Sequence, residues 1–272
     1  MSAALLLDGS MGTALQARGL AASAFPEEWL RSRPGEVARV HSQHVRAGAR
    51  VVLTCTCNAA RLDQRDLSAA TEELCSRAVQ LARASGAPRV AGAVGATGLV
   101  GGGGRGPARD ELVERFARPF RALVSAGADL LWSETHVSLR EARAALAAAR
   151  TTGRAAVVTM VLAEREGGMA ALDGTPGEEC LEALWRDGAA AVGVNCVAPG
   201  GELAALVARA ASRVAVPLVA KPSAGTPGAR ATPQAFAAET WRAVRAGARL
   251  CGGCCGAGPE HLRALAAALL RP

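Results

Sequence analysis

The chain has 272 residues, 50% hydrophobic and 20% charged, with a formal net charge of +7. That composition excludes a disordered chain, and the length suits one large core of α/β-barrel size. No run of about 18 apolar residues is free of glycine, proline or charge, so no membrane partner is expected.

Short apolar runs alternate with Ala/Leu/Arg helices along the whole sequence. The first strand is expected over 4–7, ending in Asp8-Gly9. Residues 34–48 space apolar side chains three and four apart and stop at a glycine, which predicts a helix. A strand over 50–54, a helix over 68–85 and a strand over 89–94 follow. The glycine-rich stretch 95–106 reads as a loop, and its run 101–104 as a flexible surface segment. Then come a helix over 109–126, a strand over 129–132, a helix over 138–150 and a strand over 155–161. A loop over 163–176 precedes a helix over 177–187. A strand over 190–194, a helix over 201–213 and a strand over 216–221 continue the pattern. After a loop over 223–232, a helix over 233–246, a strand over 249–252 and a helix over 259–270 close the chain.

These are eight β-then-α units in one unbroken series. Continuous apolar strands in strict alternation with helices imply a parallel sheet covered by helices. Eight units in this length favour a single (β/α)8 TIM barrel spanning 1–272 over an open sheet. Core volume must come from Ala, Val and Leu, because aromatics make up only 3% and tyrosine is absent. Of 31 basic residues only Lys221 is a lysine. The arginines are scattered, without a basic block or interleaved aromatics, so nucleic acid is not an expected partner and solvated helix faces are. Residues 1–7 are too short for a secretion signal and lack a basic flank, which predicts a cytoplasmic protein. There the eight cysteines are thiols rather than disulfides.

Chemistry in such barrels sits at the C-terminal ends of strands. Asp8, the stretch 54–58, Glu134, Asn195-Cys196, Lys221-Pro222 and Cys254-Cys255 all fall there. Strands six and eight are separated by one strand, so Cys196 can meet Cys254 and Cys255 around one zinc ion, leaving a fourth position open. The glycines flanking the Cys pair allow the turn this needs. The plainer alternative is that these cysteines are small buried hydrophobes.

Six motifs decide the reading: Leu7-Asp8-Gly9-Ser10-Met11-Gly12-Thr13, Thr54-Cys55-Thr56 with Arg61-Leu62, Gly127-Ala128-Asp129 with Glu134-Thr135, Gly193-Val194-Asn195-Cys196, Lys221-Pro222-Ser223-Ala224-Gly225 and Gly252-Gly253-Cys254-Cys255-Gly256. In this order they resemble the zinc-dependent homocysteine S-methyltransferase family, which includes betaine–homocysteine methyltransferases and the homocysteine domain of cobalamin-dependent methionine synthases. The resemblance implies methyl transfer to L-homocysteine to form methionine. It implies Zn2+ on Cys196, Cys254 and Cys255, with no catalytic group beyond the zinc-activated substrate thiol. It further implies Glu134 at the substrate ammonium, backbone groups of Asp8 and Gly9 at its carboxylate and amine, Thr54 lining the pocket with a free hydroxyl, and Asn195 among the substrate contacts. The side chain of Asp8 can also cap the short helix after it.

Three departures stand out. Cys55 and Cys57 replace the Asn and Phe common after strand two. Thr135 stands where some relatives carry a tyrosine zinc ligand, leaving His136 or water for the fourth position. Ser223 replaces a common Asn. For the methyl donor, a small sulfonium such as S-methylmethionine or S-adenosylmethionine is slightly favoured over methylcobalamin or a partner corrinoid protein. Two other classes remain: a Schiff-base barrel enzyme using Lys221, and a non-catalytic zinc subunit.

Overall fold

The computed structural model describes residues 4–101, 106–226 and 229–270. Eight parallel strands form one sheet: β1 (Leu5–Leu6), β2 (Val51–Leu53), β3 (Arg89–Gly95), β4 (Leu130–His136), β5 (Ala156–Met160), β6 (Ala191–Asn195), β7 (Leu218–Lys221) and β8 (Ala248–Cys251). Each pairs with its sequence neighbour, and β8 pairs with β1. A parallel bridge from Leu7 to Val51 joins β1 to β2 and closes the ring. Outside it lie α1 (Pro34–Arg46), α2 (Thr71–Ala84), α3 (Arg109–Ser125), α4 (Leu139–Arg150), α5 (Gly177–Arg186), α6 (Gly201–Ala211), α7 (Pro233–Ala246) and α8 (Pro259–Leu269). The expected (β/α)8 barrel is the observed one.

The barrel interior is filled by Leu7, Val51, Leu53, Ala91, Ala93, Trp132, Val157, Ala191 and Val219. Trp132 supplies most of the bulk that small neighbours leave open. Side chains in a strand alternate between faces, so the residues two beyond Trp132 and Val219 also point inward. Those residues are Glu134 and Lys221. A layer up from an apolar plug, the same period that packs the barrel therefore delivers charge to its C-terminal mouth. Outward-facing residues such as Val158, Val192 and Ala220 pack under the helices instead.

Most boundaries agree with the expected ones within two residues. The exception that matters is β4, which was expected to end at Trp132 and runs on to His136. Gly95 of β3 pairs with Glu134, and Met160 of β5 pairs with His136, so both neighbours extend the strand past its apolar part. The loops expected over 163–176 and 223–232 contain antiparallel ribbons, Ala163–Arg165 with Gly168–Ala170 and Gly225–Thr226 with Ala229–Arg230. Strands of two or three residues are too short to leave a periodic signature. Short helices Met11–Gln16 and Trp29–Ser32 follow β1. Of the glycine run expected to be flexible, residues 102–104 lie outside the described residues. Among the described residues no helix is long and apolar enough to cross a membrane.

Candidate metal centre and substrate cavity

Cys196 follows β6 directly, and Cys254 and Cys255 lie in the turn after β8. Their sulfurs meet: Cys196 Sγ is 2.7 Å from Cys254 Sγ and 3.2 Å from Cys255 Sγ. All three lie within 4.8 Å of one another and are half-buried. Three soft donors this close, with one side open to a cavity, fit a single thiophilic metal ion.

The backbone works to place them. Gly253 N–H donates to Asp8 O at 3.0 Å, and Cys254 N–H donates to Pro222 O at 2.8 Å, tying the turn to β1 and β7. Gly256 adopts φ 77°, and a Cβ there would come 2.1 Å from Gly225 O, so only glycine fits. Cys196 is itself left-handed, at φ 56°. A non-glycine residue in that region carries strain of order 1 kcal/mol, held in place by surrounding contacts. Here Cys196 N–H donates to Lys221 O at 3.1 Å, which fixes the turn that aims its sulfur at the others.

Three neighbouring thiols cannot all ionise without a cation. Cys255 is pushed down to about 3 because Cys196 and then Cys254 hydrogen-bond to its sulfur. The same sharing, with burial, pushes Cys196 up. A cation held among the three sulfurs would favour release of their protons.

A cavity of 360 Å³ opens beside the sulfurs, and Asp8, Gly9, Thr54, Glu134 and Lys221 line it with them. Glu134 is pushed up to about 7, chiefly by burial, with Lys221 opposing the shift. Asp8 spans the barrel mouth. Its Oδ1 accepts from Lys221 Nζ at 2.7 Å and its Oδ2 from Leu53 N–H at 2.7 Å. The helix cap expected of Asp8 is instead made by Ser10, whose hydroxyl accepts from Thr13 N–H at 3.2 Å. The backbone at Gly9 passes so close to Ala257 O that a Cβ would sit 2.4 Å from it.

Two expectations need correction. Thr54 lines the cavity, but its hydroxyl is not free. It accepts from Ala93 N–H at 2.9 Å and bonds Thr56 Oγ1 at 2.5 Å, while Thr56 donates to Ala93 O. The hydroxyl therefore braces β2 against β3. His136 does not reach the metal site either. It is fully buried, its Nε2 bonds Ser133 Oγ at 2.7 Å, and its ring packs edge-on against Phe116. The left-handed Thr135, with the register shift between Ser133 and His136, breaks the alternation of β4, so His136 turns away from the mouth that Glu134 lines.

Asn195 is fully buried at the end of β6. Its Oδ1 accepts from Thr135 N–H at 3.0 Å, and its Nδ2 donates to Thr135 Oγ1 at 2.8 Å and to Cys254 Sγ at 3.7 Å. It thereby holds Thr135 in the left-handed conformation, φ 67°, right beside Glu134. Cys57 lines the cavity and is pushed up well above the thiol range, first by burial and then by the charge of Glu134. Cys55 packs with Leu15 and Leu62. Cys75, Cys180 and Cys251 are buried core residues, as expected.

Sequence reasoning missed three pieces. Glu27 is buried at the cavity wall, and its carboxylate accepts from Asn58 N–H at 2.7 Å and Nδ2 at 3.1 Å, pinning the loop after β2. Its Pro-Glu-Glu context looks like a solvated helix start, and only the Asn at 58 offered a hint. Ser223 donates to Cys255 O at 2.9 Å and so steadies the cysteine turn. The Lys221–Asp8 ion pair was also unseen. Burial lowers the pKa of Lys221, but the negative groups around it, Asp8 and Glu134 foremost, together raise it and hold the side chain as ammonium. A protonated, ion-paired amine is a poor carbonyl nucleophile, which weighs against the Schiff-base alternative.

Known proteins share this arrangement of chain and fold. The Escherichia coli (strain K12) homocysteine S-methyltransferase is 34% identical over 97% of this chain and 94% of its own length. The Bacillus subtilis (strain 168) homocysteine S-methyltransferase YbgG is 29% identical over 97% and 93%. A methionine synthase of Mycobacterium tuberculosis is 28% identical over 96% of this chain but only 24% of its own. The crystal structure of the homocysteine methyltransferase MmuM from Escherichia coli, in its metallated form, superposes with a TM-score of 0.84 at 30% identity, covering 98% of this chain and 96% of that one. The sequence model of the homocysteine S-methyltransferase domain matches residues 5–269, and the chain belongs to that family of methyltransferases.

Proposed function

We propose that this chain, as one barrel domain over 1–272, transfers a methyl group to the thiol of L-homocysteine and releases methionine. The observation that carries the reading is the convergence of three cysteine sulfurs with a half-buried carboxylate, Glu134, in one cavity at the barrel mouth. Cys196, Cys254 and Cys255 would hold zinc, the metal their thiolate set suits. Bound there, zinc supplies the positive charge that keeps a substrate thiol deprotonated near neutral pH, where a free thiol of pKa about 8.5 is mostly protonated.

The rest falls to the chain's own residues. Glu134 receives the substrate ammonium. Backbone groups at Asp8 and Gly9 meet its polar end. Asn195 holds Thr135 and donates to the Cys254 sulfur, so it steadies metal ligand and cavity wall together. Thr54 shapes the pocket through its backbone and methyl group. The homocysteine sulfur attacks the donor methyl in line. A carbon–sulfur bond forms as the donor's carbon–sulfonium bond breaks, and that electron pair leaves with the donor. No protein nucleophile is required. A cytoplasmic location fits a centre built from reduced thiols.

A small sulfonium, S-methylmethionine or S-adenosylmethionine, is the favoured donor. The second reading, methylcobalamin or a corrinoid-carrying partner, is favoured by the methionine synthase likeness, where the matching stretch is a quarter of a larger protein. Methionine formation by the zinc-loaded chain with S-methylmethionine, S-adenosylmethionine, betaine and methylcobalamin separates them. Turnover with a sulfonium is the expected result. Turnover only with methylcobalamin selects the second reading, and no turnover with any donor contradicts both.

A further inference from the structure

Lys221 is the only lysine in the chain and the only basic side chain among the described residues that line the cavity. It is 2% exposed. An ammonium has three N–H donors. One goes to Asp8 Oδ1, whose carboxylate is itself fixed by Leu53 N–H on its other oxygen. The face of Trp132 lies beneath the ammonium, with its ring centroid 5.6 Å away. No further hydrogen bond among the described residues accounts for the rest, and the side chain borders the open space that Glu134 and the three thiols share.

A substrate whose ammonium lies against Glu134 brings an α-carboxylate into the same space. Placing that anion beside Asp8, Glu134 and a thiolate cluster is costly unless a cation faces it. We propose that Lys221 recognises the α-carboxylate, so that Lys221 and Glu134 together clamp the zwitterion of an α-amino-acid thiol. This deepens the reading above and rests on it. The plug of Trp132 below and the fixed Asp8 beside it hold the ammonium in place before substrate arrives, so little ordering is lost on binding.

The test compares affinities of the zinc-loaded protein for L-homocysteine and for 3-aminopropane-1-thiol, which is homocysteine without its carboxylate. Calorimetry reads both in wild type, Lys221→Met and Glu134→Gln, with zinc content measured for each. Wild type is expected to prefer homocysteine by at least about tenfold, the scale of a charge-assisted hydrogen bond. Lys221→Met is expected to bring that ratio close to one, by losing homocysteine affinity alone. Glu134→Gln is expected to weaken both thiols by similar factors, since both carry the ammonium. An unchanged ratio in Lys221→Met overturns the proposal and assigns the carboxylate to the backbone around Gly9. Should Lys221→Met fail to fold, Asp8→Asn/Lys221→Met leaves no buried charge unpaired and is read the same way. If neither thiol binds the wild type, the methyl-transfer reading falls and this one with it, whereas an unchanged ratio removes only this one.

Discussion

Replacing Cys254 with alanine is expected to cost the protein its metal and about three orders of magnitude in methyl transfer. The size follows from two losses. At pH 7 only a few per cent of a free thiol of pKa about 8.5 is thiolate, so losing the activating metal removes a factor of about 30. Losing the point at which the thiol is held, in line with the donor, removes a further factor of about 10². Cys254 is the right residue to change because its sulfur lies 2.7 Å from that of Cys196 and accepts from the Asn195 amide. Metal analysis of purified protein and initial rates check the two parts separately. Zinc retained in equal amount by the variant would show that the three sulfurs are not the ligand set.

Acid is expected to destabilise the fold through two buried histidines of α1. His41 and His44 lie on the inner face of α1, at 0% and 1% exposure, and none of their ring nitrogens finds a hydrogen-bond partner among the described residues. Burial pushes both down to about 4, with Asp8 pulling in the other direction. At His44, Lys221 and Arg18 add to the lowering and Glu260 opposes it. With a folded pKa near 4 and an unfolded value near 6.5, the unfolded chain binds more protons between those limits, so stability falls as pH drops through that window. At pH 5 each histidine then costs about 2 kcal/mol relative to pH 8. Glu134, pushed up to about 7, acts in the opposite sense over the same range, because the folded state there holds the extra proton. The wild-type profile therefore mixes both signs, and the comparison must be differential. Urea unfolding at pH 8 and pH 5 is expected to show wild type losing about 4 kcal/mol more than His41→Leu/His44→Leu. Parallel losses in the two proteins would mean that the histidines are already paired or protonated.

The cysteine cluster was far more legible in the sequence than its surroundings. Cys254 and Cys255 announced themselves because adjacent cysteines among glycines fit few other roles, and Cys196 because it ended an apolar run. The barrel was legible for a similar reason: each strand is an unbroken apolar stretch and each helix has a periodic face. The brace around the site was not. Lys221 and Asp8 are 213 positions apart, and nothing local to either marks the partner. Glu27 and Asn58 are polar residues of ordinary loop type until the fold buries one against the other. The left-handed turns at Thr135 and Cys196 carry no glycine to signal them. Thr54 shows the limit from the other side: its place at the rim was readable, but the hydroxyl's partners, Ala93 and Thr56, are set by how β2 and β3 align.

The central claim is that three cysteines hold a metal on which the substrate thiol becomes the fourth sulfur. X-ray absorption at the zinc edge, on protein loaded with one equivalent of zinc, tests it directly. The expected result is a shell of three sulfurs and one light atom at rest, becoming four sulfurs when L-homocysteine is added. A shell that keeps three or fewer sulfurs with homocysteine at saturation would contradict it.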